Sequence, residues 1–152
     1  MSGLDLESRR ARQAIAAVKR AKKPKPVRLT DEHHEQCMLF AWADVAKART
    51  PELWLLHAIP NYARVSARWG AWMKAEGKKA GVPDIHLPVP RGGFASLYIE
   101  LKVKPNRMSP EQIAWHERLW KAGNCARECW SWIEAREVIE SYLSLHPTPE
   151  HP

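Results

Sequence analysis

The chain has 152 residues, a hydrophobic fraction of 45% and a formal net charge of +7, which fit one globular domain with a single core. No stretch approaches the roughly 18 uncharged apolar residues of a membrane span, and the first residues lack the apolar segment of a secretory signal. The three cysteines, Cys37, Cys125 and Cys129, have no disulfide-framework or zinc-ribbon spacing, so we expect buried thiols in a reducing compartment. We therefore predict a cytoplasmic protein without a membrane partner.

The positive charge is concentrated at the N-terminus. Residues 1–28 contain nine Lys/Arg and two acidic residues, whereas the remaining residues are formally neutral. Such a run is typical either of a polyanion-binding tail or of a solvated leader that aids solubility. We predict a disordered basic arm over residues 1–29. Within it we assign nucleic-acid binding to three lysines, Lys22, Lys23 and Lys25.

The first part of the body predicts two helices around a strand. A helix capped by Thr30 or Asp31 runs towards Pro51, with apolar positions at helical spacing. Residues 53–59 (LWLLHAI) form a continuous apolar run that predicts a buried strand. Residues 62–79 predict a basic helix. Its candidate nucleic-acid-binding residues are Arg64, Arg68 and Lys74.

The second part predicts a hairpin, a helix, a strand and a last helix. Residues 82–89 and 94–103 read as strands joined by the Pro-Arg-Gly-Gly turn at 90–93. Ser109 caps a helix that ends before Gly123. Residues 124–130 predict a strand, 134–145 an amphipathic helix and 146–152 a disordered tail. The order predicts an α/β fold with a mixed sheet flanked by helices. The chain has no GxGxxG or phosphate-binding loop between a strand and a helix, so we expect no nucleotide cofactor.

Most aromatic residues are predicted to be structural. Trp42, Trp115 and Trp120 occupy apolar helix positions and read as core. Trp69 and Trp72 are open to three interpretations: packing on the sheet, a dimer interface, or contact with DNA beside the basic side chains. His57 and His86 are interpreted as hydrogen-bonded structural residues.

Residues 81–103 contain the candidate catalytic residues. Side chains alternate along a strand, so Glu100 and Lys102 project to one side, and the antiparallel hairpin places Asp84 beside them. Two carboxylates and a main-chain carbonyl suit a hard divalent cation, and the lysine could orient a water, help to deprotonate it, or stabilise developing negative charge. The alternative is a surface ion pair between Glu100 and Lys102, with Asp84 as a turn residue.

Three segments resemble a known family. GVPDIHLPV at 81–89, YIELK at 98–102 and SPEQIAWHERLWKAG at 109–123 are similar to the VRR-NUC (virus-type replication-repair nuclease) domain of the PD-(D/E)xK nucleases. Glu35-Gln36 and Pro60-Asn61 add to the likeness. The resemblance covers about residues 30–145 and implies a restriction-endonuclease-like αβββαβ core.

The resemblance also implies roles for individual residues. Asp84 and Glu100 would be metal ligands for Mg²⁺ or Mn²⁺, with the Leu101 carbonyl as a third ligand and Lys102 as the catalytic lysine. Glu35 would supply a further catalytic and metal-binding carboxylate from the first helix, although Glu32, one turn earlier, could face the same way. Gln112 would lie at the edge of the catalytic site, or could cap its helix with Ser109.

The function that follows is a metal-dependent DNA endonuclease acting in replication, recombination or repair. Stand-alone members of the family resemble Holliday junction resolvases, which implies a homodimer that cuts four-way or flapped DNA with two active sites. Two alternatives stay open. One is a restriction-type or exonucleolytic enzyme with the same metal chemistry, and the other is a non-catalytic nucleic-acid-binding module that kept the fold.

Overall fold

A computed structural model describes residues 31–60 and 66–148. The predicted basic arm with its three lysines, the candidate Arg64 and residues 149–152 lie outside the described residues. Within them, the chain forms four α-helices, one 3-10 helix and four strands. In chain order they are α1 (Glu32–Ala46), the 3-10 helix (Pro51–Leu55), β1 (His57–Ala58), α2 (Ala67–Ala75), β2 (Ile85–Leu87), β3 (Leu97–Leu101), α3 (Pro110–Lys121), β4 (Cys125–Cys129) and α4 (Trp132–Leu143).

The four strands form one mixed sheet in the order β1-β2-β3-β4. The pairs β1–β2 and β2–β3 are antiparallel. Strand β4 runs parallel to β3 after the crossover through α3. A parallel pair needs such a crossover, whereas the antiparallel pair β2–β3 is closed by a short turn. The predicted α/β class with a mixed sheet between helices is confirmed.

A tight turn joins β2 to β3. Arg91 and Phe94 exchange two main-chain hydrogen bonds of 3.1 and 2.9 Å, and the two residues between them, Gly92 and Gly93, have φ values of +59° and +86°. Positive φ at both central positions matches the right-handed twist of the flanking strands and favours glycine. The turn closes the hairpin, and the pairing of Ile85 with Ile99 sets the register at its opposite end.

The core lies between one face of the sheet and helices α1 and α4. Leu39 and Ala43 of α1, Ile99 and Leu101 of β3, and Ile139 of α4 are all buried there. Side chains alternate along β3, so Glu100 points to the other face, where α3 lies. The sheet therefore separates an apolar core from a face that carries ionisable groups.

The buried strand predicted over residues 53–59 is wrong in most of its length. Pro51 begins a 3-10 helix, and the strand is limited to His57–Ala58. Proline is well tolerated at the first helical position. Leu53 and Leu56 are buried while Trp54 and Leu55 are exposed, a spacing of three that fits a 3-10 turn and not a strand.

Three other expectations differ from the structure. Cys37 is exposed, whereas Cys125 and Cys129 are buried as expected. Trp120, expected in the core, is 47% exposed because it lies in the last turn of α3. Residues 146–148, expected in a disordered tail, are bonded to the hairpin turn, where Gly92 N–H donates to His146 O at 2.9 Å.

Of the helices described, none has the length and apolar character that crossing a membrane would require.

Candidate active site

The hairpin brings Asp84 and Glu100 together at its open end. Ile85 pairs with Ile99, so the preceding residue on β2 lies opposite the next residue on β3. The Leu101 amide donates to Asp84 Oδ2 at 3.1 Å, and the Ile59 amide donates to Asp84 O at 2.7 Å. Strands on both sides of Asp84 therefore fix its position.

Lys102 completes a buried cluster with these acids. Its Nζ donates to Glu100 Oε1 at 2.6 Å and to Leu101 O at 3.3 Å. The relative exposure is 0% for Glu100 and 6% for Lys102. A surface ion pair, the alternative for these residues, would be far more exposed.

Gln112 of α3 fills both roles that its position allows. The side-chain Oε1 of Gln112 accepts from the main-chain amide of Ser109 at 2.8 Å. The Ser109 hydroxyl accepts from the main-chain amide of Gln112, and the two bonds form a capping box. At the same time, Gln112 Nε2 donates to Glu100 Oε1. The start of α3 is thus tied to the buried carboxylate.

The structure places Glu32, and not Glu35, beside the cluster. Glu32 Oε1 lies 3.7 Å from Lys102 Nζ and accepts from Asn106 Nδ2 at 3.1 Å. Glu35 Oε2 instead accepts from the Trp132 amide at 2.7 Å, at the first turn of α4. No sequence motif pointed to Asn106, because it comes close to Glu32 only through the fold.

Burial and mutual repulsion perturb the carboxyl groups. Burial, reinforced by the charge of Asp84, raises the pKa of Glu100 to about 7 despite the opposing contact with Lys102. Burial also raises the pKa of Asp84, and the Leu101 amide opposes that shift. For Lys102, burial disfavours the charge, but the hydrogen bond from Lys102 to Glu100 and the surrounding carboxylates outweigh it and raise the pKa. The cluster holds more negative charge than one lysine balances.

A divalent cation would balance the excess negative charge of the cluster. Among the described residues, Glu100 Oε2 is a buried oxygen without a hydrogen-bond partner, which carries a cost unless something binds it. No three His, Cys, Asp or Glu side chains of residues 31–60 and 66–148 group into a metal site, so the fit depends on Asp84, Glu100 and the Leu101 carbonyl. These are the all-oxygen donors that Mg²⁺ or Mn²⁺ prefers.

The other predicted DNA contacts that the structure describes lie on α2. Arg68 and Lys74 are exposed on α2. Trp69 and Trp72 of the same helix touch each other with ring centroids 4.5 Å apart, and both remain about half exposed. The Trp pair is therefore not part of the core.

Of the two histidines expected to be hydrogen-bonded, His57 shows such a contact, whereas His86 is described by ring contacts. The His86 ring stacks on Tyr98 at 4.2 Å and meets the His57 ring edge-on at 5.1 Å. His57 Nδ1 is also 2.9 Å from Leu55 O.

A mixed sheet whose hairpin presents an aspartate, a glutamate and a lysine in this order defines a PD-(D/E)xK-type nuclease fold. The VRR-NUC domain matches residues 19–131 of the chain, and the chain belongs to the VRR-NUC family. Among solved structures, it is similar to a VRR_NUC domain protein with a TM-score of 0.65 and 27% sequence identity, over 76% of this chain and 90% of that chain. The comparison with curated proteins gives no match. The family resemblance of the sequence is confirmed, but the match begins at residue 19, inside the predicted arm, and ends at residue 131, whereas we expected it over about residues 30–145. The coarse activity, that of a nuclease, follows from the family.

Proposed function

We propose that this chain is an Mg²⁺- or Mn²⁺-dependent DNA endonuclease whose active site comprises Asp84, Glu100 and Lys102. The observation that carries the proposal is the ion pair of 2.6 Å between Lys102 and a fully buried Glu100, placed beside Asp84. Burying two acids is costly. A protein that only bound DNA would gain nothing from acids that repel phosphate.

Asp84, Glu100 and the Leu101 carbonyl would hold the metal ion. Once bound, the ion would neutralise phosphodiester charge and lower the pKa of a bound water. The structure supports this set because Glu100 Oε2 is buried and lacks a partner in the described part of the chain.

Lys102 is proposed to act in its charged form. In the metal-free site, burial lowers the pKa of Lys102, but the hydrogen bond from Lys102 to Glu100 and the nearby carboxylates outweigh it and raise the pKa, which favours the ammonium form. A fixed ammonium group of this kind stabilises negative charge that develops on the phosphate during attack by water. The contact with Glu100 holds the ammonium group in place until DNA arrives.

Gln112 and Glu32 are proposed to position the cluster. Gln112 fixes the Glu100 carboxylate through one amide hydrogen while its oxygen is bound to the Ser109 amide. Glu32 approaches Lys102 from α1. We favour Glu32 as the carboxylate from the first helix; the assignment of Glu35, which followed from the resemblance, stays an alternative prediction.

The substrate is proposed to be branched DNA, such as a four-way junction or a flap, cut by a homodimer. Two strands must be cut in a junction, and two copies of one site supply that symmetrically. Light scattering of the protein with and without a four-way junction tests the assembly. Exonucleolytic or restriction-type action would use the same cluster and is distinguished by the products.

The decisive experiment incubates the full chain with four-way, flapped and linear DNA in Mg²⁺, Mn²⁺ or EDTA. We expect cleavage only with metal. Lys102→Ala and Asp84→Asn should both lose it, while Lys102→Ala still binds DNA, because the lysine acts in chemistry and not in metal ligation. Lys104→Ala, an exposed lysine two residues further on, is the matched control. Metal-independent binding without cleavage of any substrate would favour the non-catalytic module.

A further inference from the structure

A groove lies next to the acid cluster and has no part in the proposed mechanism. It occupies about 490 Å³ between the end of α2, the loop that follows it and α3. Its walls are apolar and aromatic, with Met73, Val82 and Trp115, and Lys79 and Glu76 also line it. The volume is in the range of clefts that bind small molecules.

The groove adjoins the active site on two sides. Val82 comes two residues before Asp84 in the chain. Ile59, which also lines the groove, donates its amide to Asp84 O at 2.7 Å. Trp115 is one helical turn beyond Gln112, which bonds Glu100. A ligand that reached the acids would therefore pass beside the groove.

The wall formed by Trp115 is rigid. Its Nε1–H donates to Ala80 O at 2.9 Å, which holds the indole in one orientation. Gly81 packs so closely on α3 that a Cβ there would lie 2.6 Å from the Glu111 carbonyl carbon. Because the loop lies directly against the helix, the groove is preformed and a ligand would not have to order it.

Charge decides what kind of ligand fits. Among the residues that line the groove, two are cations, Lys78 and Lys79, and one is an acid, Glu76. A second apolar groove, between the sheet, α3 and α4, is instead lined by Glu134 and Glu137 with one Arg127. The groove beside the active site therefore favours a polyanion, and the other does not.

Resting on the proposed nuclease function, we propose that the groove of Met73, Val82 and Trp115 binds one unpaired nucleobase of the DNA. Aromatic side chains provide stacking surfaces that accept any base, and lysines beside them meet the backbone. A base within an intact duplex is stacked on both sides and cannot enter such a groove. The groove would thus select DNA that carries an unpaired nucleotide, as a flap or a bulge does.

Binding of a fluorescent adenine analogue tests the proposal. Two duplexes carry one 2-aminopurine, either as a single unpaired bulge or paired with thymine. With the full chain carrying Lys102→Ala, so that no DNA is cut, we expect the bulged probe to bind roughly tenfold more tightly. Its fluorescence should fall on binding because of stacking.

Variants assign the effect to the groove. Trp115→Leu and Met73→Glu should each reduce the preference for the bulge to near onefold. Trp120→Leu is the matched control, since this indole is on the same helix and also donates to a main-chain carbonyl, Ala126 O at 3.3 Å. It should leave the preference unchanged. Lys79→Glu changes only an exposed side chain, so it should fold and lower the preference by reversing the charge there.

The outcomes separate this proposal from the nuclease function. Folded groove variants that keep the tenfold preference, or that weaken both probes equally, would overturn the proposal. If instead the unmodified chain cuts no DNA, but the preference appears, is lost in Trp115→Leu and is lowered in Lys79→Glu, the groove proposal holds and the proposed nuclease function is wrong.

Discussion

Gln112 is bonded to Glu100 through the same side-chain amide that caps α3. Its oxygen accepts from the Ser109 amide and its nitrogen donates to Glu100. The end of a helix and a buried carboxylate thus share one side chain, and changes at Ser109 and Gln112 should separate the two roles.

The first prediction separates the role of Gln112 in capping α3 from its contact with Glu100. Gln112→Ala should lower the cleavage rate at saturating DNA roughly 10–100-fold, as loss of an outer hydrogen bond to a metal ligand does. It should also cost about 1 kcal/mol of stability. Ser109→Ala should show the stability loss with a nearly unchanged rate. Thermal unfolding and single-turnover cleavage measure both, and equal rate losses in the two variants would reduce Gln112 to a cap.

The second prediction distinguishes the two acids of α1. Glu32→Gln should reduce cleavage roughly 10–100-fold with little change in stability, because Glu32 is partly exposed and faces Lys102. Glu35→Gln should cost about 1 kcal/mol, because a carboxylate at the start of α4 is replaced by a neutral group. Its cleavage at saturating DNA should be normal. The reverse pattern would show that the assignment by resemblance was right and that of Glu32 wrong.

The third prediction concerns pH in the absence of metal. The pKa of Glu100 is raised to about 7 from 4.5, so the folded state holds the proton more tightly than the unfolded chain. The stability that comes from this tighter protonation of Glu100 is fully present below about pH 4.5 and is lost as the pH rises through about 7. It amounts to at most about 3 kcal/mol. In EDTA, the wild type should therefore lose stability relative to Glu100→Gln between pH 5 and pH 8.

Comparing wild type with Glu100→Gln removes the contributions of other groups to the pH dependence of stability. Burial lowers the pKa of His86 and His116, so these two residues make the folded state more stable as the pH rises, opposite to Glu100. Adding Mn²⁺ should stabilise the wild type more at pH 8 than at pH 5, because a ligand carboxyl must be ionised. A stability difference between wild type and Glu100→Gln that does not change with pH would refute the shift.

The fourth prediction concerns the basic arm. Replacing Lys22, Lys23 and Lys25 by Gln should flatten the slope of log affinity against log salt on duplex DNA by about 3, since each phosphate contact contributes ~0.9. Cleavage at saturating DNA should be unchanged. Fluorescence anisotropy at several salt concentrations measures the slope. An unchanged slope would indicate that the arm only aids solubility, and Arg68 and Lys74 would then be the residues to test for phosphate contacts.

Local patterns predicted the hairpin and the helix after it. Two apolar strands around a Gly-Gly turn fix their own register, and Ser109 with Pro110 marks a helix start without any tertiary information. Asp84 therefore lies beside Glu100 as the hairpin requires. The family model adds independent support for the same segments.

Tertiary packing decided what the sequence left open. Either Glu32 or Glu35 could face the hairpin until the burial of Leu39 and Ala43 set the rotation of α1. The run at 53–59 has no clear period, so nothing local revealed that Pro51 would start a 3-10 turn. The exposure of Trp120 likewise depends on where α3 meets the sheet, which its own apolar pattern does not contain.

The close contact at Gly81 makes a residue without a side chain necessary for the packing of its loop on α3. Any other amino acid there would be strained at φ +85° and would meet the main chain of Glu111, so the loop would have to retreat from α3. Asp84 lies three residues further on and is held by hydrogen bonds from the Leu101 and Ile59 amides. A substitution at position 81 would thus set the packing of the loop on α3 against the hydrogen bonds that hold Asp84, without altering any residue of the acid cluster.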